Sequence, residues 1–245
     1  MSNGAARAVK ELVNITFASD SLILSFSHFP FKIKKLENPV LIFGAGALGR
    51  QALDIFQRND VVVYGFLDDN KELHGTEIGE VSILGDTDDG GFLKIIGNKC
   101  EAFVAIGERP VREKLVVMLS ERRKVMPVNA IHDTAVVSAM ATLGHGNFVG
   151  ARVTVGAEAT IGHHVQLQTG AIVEPFATIG DLVNIGAGAI IGDRATVESG
   201  AFIGAGAVIV AGIRIGKNAR VGAGSLVIAD VAAKTTVFGN PAKPI

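Results

Sequence analysis

Several residue types are nearly absent from this chain of 245 residues, which has one cysteine, one tyrosine and no tryptophan. The single cysteine, Cys100, excludes an internal disulfide and a multi-cysteine metal cluster, and it favours a reducing, cytoplasmic environment. Neither charge sign is in excess, because 23 basic and 24 acidic residues give a net charge of −1. This balance gives no support to a nucleic-acid partner or a polybasic membrane surface.

Long hydrophobic runs are also lacking. The longest stretch without a charged residue, residues 134–151, carries serine, histidine, asparagine and several glycines. A transmembrane helix needs about 20 predominantly apolar residues, and this stretch is too polar for one. The apolar segment at 21–31 has neither a preceding basic flank nor a following small-residue cleavage site. We therefore expect no export signal and no membrane anchor.

Glycine is abundant, with 30 residues, and it is distributed within a repeat of six. A branched aliphatic residue recurs at every sixth position without an insertion, at Ile131, Val137, Leu143, Val149, Val155, Ile161, Leu167, Val173, Ile179, Ile185, Ile191, Val197, Ile203, Ile209, Ile215, Val221 and Val227. A small residue usually lies four positions after each of these, and glycine often follows directly. A period of six matches neither a helix nor a simple strand alternation.

This period is typical of a short β-strand followed by a tight turn, repeated around a three-sided column. The aliphatic side chains are predicted to point into the column, and successive coils to stack at about 4.8 Å. We expect the glycines that directly follow the aliphatic residues to supply the unusual backbone dihedrals at the corners.

The first half of the chain reads as alternating strands and helices. A strand at 40–43 precedes the G-x-G-x-x-G sequence of residues 44–49, and an amphipathic stretch, 50–58, and a strand, 61–67, follow it. Further strands are predicted at 81–84 and 102–106, and further helices at 92–96 and 109–124. A helix at 109–124 would bury Val111, Leu115, Met118 and Leu119 on one face, with charges opposite.

The glycine motif after a strand and before a helix allows a diphosphate to approach the backbone at a helix N-terminus. Asp68 follows at a distance where an acidic residue can accept a hydrogen bond from a ribose or base. The motif by itself fits a nucleotide site and a merely tight turn equally well. The hypothesis of an NAD-dependent enzyme rests on this motif alone, and the column offers no hydride-acceptor site.

Six segments together resemble one family: LIFGAGALG (41–49), GFLDDN (65–70), AFVAIGERPVREKL (102–115), AIHDTAVV (130–137), LQTGAIVE (167–174) and VFGNPAK (237–243). They occur in family order in the bacterial sugar O- and N-acetyltransferases of the sialic-acid and bacillosamine acetyltransferase type, within the hexapeptide-repeat superfamily. The resemblance implies a Rossmann-like α/β domain followed by an all-β left-handed parallel β-helix. It also implies a homotrimer that uses acetyl-CoA as co-substrate, acts on a nucleotide-linked sugar for surface glycans and needs no metal.

The resemblance divides the chain into four regions. Residues 1–38 are an unassigned extension with a possible helix at 5–13, and residues 39–128 are the nucleotide-sugar-binding domain. Residues 129–228 are the β-helix, and residues 229–245 are a tail. Carried over by position, the sugar-nucleotide site comprises Gly44, Gly46, Ala47, Leu48, Asp68, Asp69, Gly107 and Glu108. The acetyl-CoA site comprises Asn184, Ala205 and Ala223, largely through their backbones.

The sequence departs from the family where the catalytic base is expected. The family has a histidine directly after the hexapeptide glutamate, and here Pro175 follows Glu174. The acidic residue that would orient this histidine is replaced by Phe176, and a second histidine near the thioester is replaced by Asn184. The glycine turn has Leu48 where the family usually has histidine. Each of these changes removes a titratable group.

Two hypotheses follow. In the first, the base has moved to a corner of the column where His145, His163 and Asp181 recur one coil apart, with His163 as base, Asp181 as its orienting partner and Glu174 as a further candidate. In the second, the fold is kept without ordinary acetyl transfer, and the chain binds a sugar nucleotide or acyl-CoA or serves as a scaffold. Stacked histidines at the corners of a β-helix are also commonly structural.

Overall fold

Four parallel strands and one antiparallel edge strand form the sheet of the N-terminal α/β layer, in the order β3-β4-β2-β1-β5. The strands are β1 (Val40–Phe43), β2 (Val63–Leu67), β3 (Glu77–Ile78), β4 (Val81–Gly85) and β5 (Glu101–Val104). The helices are α1 (Ala47–Arg58), α2 (Gly90–Leu93) and α3 (Arg109–Arg123), with a 3₁₀ turn at Lys71–Leu73.

The computed structural model describes residues 36–245. The helix expected at 5–13 and most of the 1–38 extension lie outside the described residues. Among residues 36–245, every helix is too short or too polar to span a bilayer.

The sheet is buried on both faces because its central strands are almost wholly aliphatic and aromatic. On one face α1 and the first coil of the β-helix pack through Phe56, Phe103 and Phe148. On the other face α3 packs through Leu115 and Leu119. The α/β layer and the β-helix therefore share a core.

Two helices differ from the sequence prediction. The helix expected at 92–96 lies at 90–93, because the Asp89 carboxylate accepts a hydrogen bond from the Gly91 N–H at 2.7 Å and starts the helix earlier. In α3, Val111 was expected to be buried but is 45 % exposed, whereas Arg112 is 1 % exposed. Leu115 and Leu119 are buried as expected, and Arg112 shares their face of the helix in place of Val111.

Seventeen two-residue strands form the three-sided column in residues 130–227, and residues one coil apart, 18 positions along the chain, pair in parallel register. The docked face, which packs on the α/β layer, comprises β6 (Ala130–Ile131), β9 (Phe148–Val149), β12 (Gln166–Leu167), β15 (Asn184–Ile185), β18 (Phe202–Ile203) and β21 (Arg220–Val221).

The two other faces have contrasting outward side chains. The aliphatic face comprises β7 (Val136–Val137), β10 (Thr154–Val155), β13 (Ile172–Val173), β16 (Ile190–Ile191), β19 (Val208–Ile209) and β22 (Leu226–Val227). The threonine face comprises β8 (Thr142–Leu143), β11 (Thr160–Ile161), β14 (Thr178–Ile179), β17 (Thr196–Val197) and β20 (Arg214–Ile215). The second residue of each strand points inward, and most of these side chains are almost completely buried.

The corner glycines behave differently from the prediction. The left-handed backbone falls two residues after each expected glycine, at positions such as Gly146, His164 and Leu182. The glycines that directly follow the aliphatic residues are required for packing, because a Cβ on Gly186 would lie 2.5 Å from the backbone nitrogen of Ala205 in the next coil. Close stacking of coils therefore explains these glycines.

The C-terminal residues extend the docked face. Strand β23 (Thr236–Gly239) pairs in parallel with β21, and β24 (Ala242–Pro244) returns antiparallel to β23. The column is thus covered by the α/β core at its first coil and by a hairpin at its last.

Candidate active site

A cleft of about 830 Å³ lies between the α/β layer and the docked face. One wall consists of the loops after β1, β2 and β5, at the carboxyl ends of parallel strands, where α/β folds commonly bind ligands. The other wall consists of outward side chains of the docked face, including Gln166, Asn184, Phe202 and Arg220. Among its lining residues none is a histidine.

The glycine loop contributes Gly46, Ala47 and Leu48 to this cleft. Gly44 has a φ of +106°, and a Cβ there would lie 2.6 Å from the Ile106 side chain. A Cβ on Gly46 would meet nothing within 4 Å, so its space is open toward the cleft. No side chain caps the N-terminus of α1, which leaves backbone N–H groups available for an anion. Gly44 therefore shapes the loop, and the predicted residues that follow it line the site.

The two neighbouring aspartates after β2, Asp68 and Asp69, have different roles. Asp68 lines the cleft, and its carboxylate accepts hydrogen bonds from the N–H groups of Ala45 at 2.8 Å and Asn70 at 2.9 Å. Asp69 does not line the cleft, because one of its oxygens accepts from the N–H and hydroxyl groups of Thr87. The structure thus brings Asp68 to the site, and it places Asp69 in a structural contact.

A buried guanidinium joins the two walls. Arg112 donates to the carbonyl oxygens of Ile106 at 2.8 Å, Gly107 at 3.0 Å and Leu182 at 3.2 Å, and to the side-chain oxygen of Asn184. Burial and the positive charge of Arg109 lower the pKa of Arg112 to about 10, so the guanidinium remains charged at neutral pH.

Two amides reinforce this junction. The Asn184 side-chain N–H group donates to Gly107 at 3.1 Å, and the Gln166 amide donates to Ile106 at 2.7 Å. Asn184 is therefore both a cleft residue and a contact between the α/β layer and the column. Sequence reasoning missed Arg112, although its spacing from Leu115 and Leu119 would have placed it on the buried face of α3.

The histidine corner has a different geometry from a base and its orienting carboxylate. The His163 Nδ1 atom accepts a hydrogen bond from the backbone N–H of His145 at 3.0 Å, and the two rings stack with their centres 5.6 Å apart. Asp181 accepts from the backbone N–H of His163 at 2.8 Å rather than from its ring. None of these three residues lines the cleft, although Leu182, the next residue, does.

His164 is the buried member of this corner and is 6 % exposed. Burial, followed by the nearby charges of His163 and Arg112, lowers the pKa of His164 to about 4. The ring is therefore neutral at physiological pH.

The remaining predicted residues lie on other edges of the column. Glu174 and Pro175 belong to the corner between the aliphatic and threonine faces, where Arg194 covers the Phe176 ring at 4.8 Å. Ala205 and Ala223 stack on the corner between the docked and aliphatic faces. None of these lines the cleft, which contains Gly107 and Glu108 from the loop after β5 and Asn184 from the column.

Comparison with known families matches both halves of the chain. Residues 39–119 match the PglD N-terminal domain, and residues 158–193 and 194–229 match the bacterial transferase hexapeptide (six repeats) family. These matches identify a PglD-type N-terminal domain followed by a hexapeptide-repeat column, and they confirm the predicted fold class. No curated protein sequence matches the chain.

Three solved structures share this architecture. A variant of GDP-perosamine N-acetyltransferase from Caulobacter crescentus, in complex with CoA and GDP-perosamine, is 29 % identical over 86 % of this chain and 98 % of its own, with a TM-score of 0.78. WeeI from Acinetobacter baumannii AYE is 27 % identical over 84 % and 99 %, with a TM-score of 0.75. The acetyltransferase domain of PglB from Neisseria gonorrhoeae FA1090, at 23 % identity over 85 % and 100 % and a TM-score of 0.78, supports the fold. The chain is therefore similar, across both of its halves, to sugar N-acetyltransferases built on hexapeptide repeats.

Proposed function

We propose that the protein transfers an acetyl group from acetyl-CoA to an amino or hydroxyl group of a nucleotide-linked sugar, in surface glycan biosynthesis. The observation that carries this proposal is the cleft, which joins the open glycine loop to the docked face at Asn184. A relative with 29 % identity, bound to CoA and GDP-perosamine, supports both ligand classes.

The cleft walls suit the two ligands. Backbone N–H groups of Gly46, Ala47 and Leu48 bind the diphosphate at the N-terminus of α1. Asp68 is held rigid by two backbone N–H groups and accepts hydrogen bonds from the nucleoside. Asn184 lies beside the thioester in the cleft, and the CoA chain continues outside the cleft along the corner that carries Ala205 and Ala223. In the reaction, a lone pair of the acceptor attacks the thioester carbonyl, the carbon–sulfur bond breaks, and CoA leaves as the thiolate, which takes up the acceptor proton.

Proton transfer in this site is assigned to Glu108. The titratable side chains that line the cleft are Asp68, Glu108, Arg109 and Arg220. Both oxygens of Asp68 already accept hydrogen bonds, whereas Glu108 makes no side-chain hydrogen bond within residues 36–245. A carboxylate with free oxygens accepts the proton of a hydroxyl acceptor as attack proceeds, or that of an ammonium acceptor before its lone pair attacks, and then passes the proton to the departing thiolate.

His163 and Asp181 remain the competing assignment. Glu108→Gln is expected to lower kcat at least about tenfold with little change in the Kd of either ligand. His163→Ala is expected to leave kcat unchanged. The reverse pattern would assign the proton transfer to the histidine corner.

We also propose a homotrimer. The outward side chains of the aliphatic face include Ile172, Ile190, Val208 and Leu226, which form an apolar stripe along the column. Three copies that bury this stripe about one axis form a closed assembly with no further exposed copy of the interface.

A second candidate, a binding or scaffold protein without transfer activity, is favoured by Pro175 at the family base position. Release of CoA thiol, measured with acetyl-CoA and with 4-amino or hydroxy nucleotide sugars, separates the two candidates. Release above background establishes transfer. Intact binding of both ligands without release would favour the binding protein. A rise in melting temperature with UDP- or GDP-sugars but not with NAD(H) would dismiss an NAD-dependent enzyme.

A further inference from the structure

Two arginines stand at the outer end of the cleft, away from the shared core. Along the docked face, Phe148 is in the core, Gln166 and Asn184 bond to the α/β layer, and Phe202 and Arg220 follow. Arg220 lies two coils beyond Asn184, a distance of roughly 10 Å. Arg109, at the first residue of α3, lines the same cleft.

Each guanidinium is positioned while its donors stay free. Arg220 lies over the Phe202 ring, with its guanidinium carbon 4.6 Å from the ring centre, and this cation–π contact holds the guanidinium against the docked face. Arg109 rests against Gly200, where an added Cβ would come within 2.6 Å of one of its terminal nitrogens. Neither guanidinium forms an ion pair within residues 36–245, and neither does the neighbouring Glu108.

Two other arginines of the column are paired, whereas Arg152, outside the cleft, forms no ion pair in the described part of the chain. Arg194 pairs with Asp193, and Arg214 pairs with Glu198. Because the cleft places two positive charges together without such a partner, an anion bound there would gain charge-assisted hydrogen bonds.

We infer that Arg109 and Arg220, here called the arginine pair, bind an oxyanion, either a phosphate or a carboxylate, of a ligand in this cleft. This inference rests on the proposed function. The glycine loop already offers a site for the diphosphate of a nucleotide sugar, so the arginine pair serves a second anionic group. Its chemistry fits a phosphate of acyl-CoA or a carboxylate on the acceptor sugar.

The test measures the Kd of four probes by calorimetry. They are CoA, dephospho-CoA, a UDP-sugar whose sugar is uncharged and a UDP-uronate. The variants are Arg220→Gln and Arg109→Gln, and Arg152→Gln, an exposed arginine outside the cleft, is the matched control. Melting temperatures verify that each variant is folded. Loss of one charge-assisted contact is expected to weaken binding at least about tenfold.

The pattern of loss identifies the source of the anion. Weaker binding of CoA, with loss of its preference over dephospho-CoA, supports a CoA phosphate. Weaker binding of the uronate alone supports a sugar carboxylate. If both variants bind all four probes as tightly as Arg152→Gln does, the inference is wrong and the proposed function stands. If the unaltered protein binds none of them, the proposed function fails and the inference fails with it.

Discussion

An Arg112→Met substitution is expected to lower the free energy of unfolding by about 3–5 kcal/mol, because Arg112 is 1 % exposed and donates to four oxygens, two of them across the domain junction. Each hydrogen bond to a charged group contributes roughly 1.5–3 kcal/mol, and the cost of burying the guanidinium offsets part of that sum. Methionine fills similar space but leaves the Leu182 carbonyl and the Asn184 side-chain oxygen without their donor, whereas the carbonyls of Ile106 and Gly107 keep the amides of Gln166 and Asn184. The expected loss therefore exceeds that of an ordinary surface substitution.

Urea unfolding followed by circular dichroism measures this change, since the chain has no tryptophan to serve as a fluorescent probe. Arg122→Met, on an exposed position of the same helix, is the control and should change stability by less than about 0.5 kcal/mol. Arg112→Lys keeps the charge without the planar fork and is expected to fall between the two. A loss below about 1 kcal/mol for Arg112→Met would refute the assignment of Arg112 as the main polar link between the α/β layer and the column.

Three further expectations concern acidity, the glycine loop and assembly. Because the pKa of His164 is about 4 when folded and near 6.5 when unfolded, stability is expected to fall by roughly 3 kcal/mol from pH 7 to pH 4, as the unfolded chain takes up the proton first. His164→Gln should flatten that decline in pH-dependent urea unfolding, and exposed His145→Gln should not. Gly44→Ala is expected to cost about 2–4 kcal/mol through its positive φ and the clash with Ile106, whereas Gly46→Ala should keep stability but weaken nucleotide-sugar binding in calorimetry. Ile190→Arg on the aliphatic face should convert trimers to monomers in sedimentation velocity, and unchanged trimers would contradict the proposed interface.

The sequence was most informative where a period fixes the structure. Residues such as Val149 and Leu167, which lie three six-residue repeats and thus one coil apart, are fully buried in the column as predicted. Strand β1 has the predicted bounds, because a short aliphatic run before glycine leaves few alternatives. The glycines were assigned the wrong task, because a sequence period does not reveal how closely the next coil approaches Gly186.

The candidate site was only partly predictable, because it forms between two separately patterned halves. The glycine turn and Glu108 reach the cleft as expected, since motifs place residues at the ends of strands. Asp69 was predicted to line the site but does not, and the role of Arg112 was missed. Both outcomes depend on partners that are distant in sequence, Thr87 and Leu182. His163 and Asp181 share a corner as predicted, but the backbone takes the hydrogen bonds that a catalytic pair would need.

Because the column is a stack of equal coils, the length of the cleft wall along the column is a whole number of coils. Asn184, Phe202 and Arg220 occupy equivalent places in successive coils. Inserting or deleting one whole coil between them would move Arg220 by about 4.8 Å and leave the hairpin at the end of the column able to pair as before. Insertion or deletion of whole 18-residue coils therefore changes the length of ligand that the cleft accepts, while every strand stays on its face and every inward side chain stays in register.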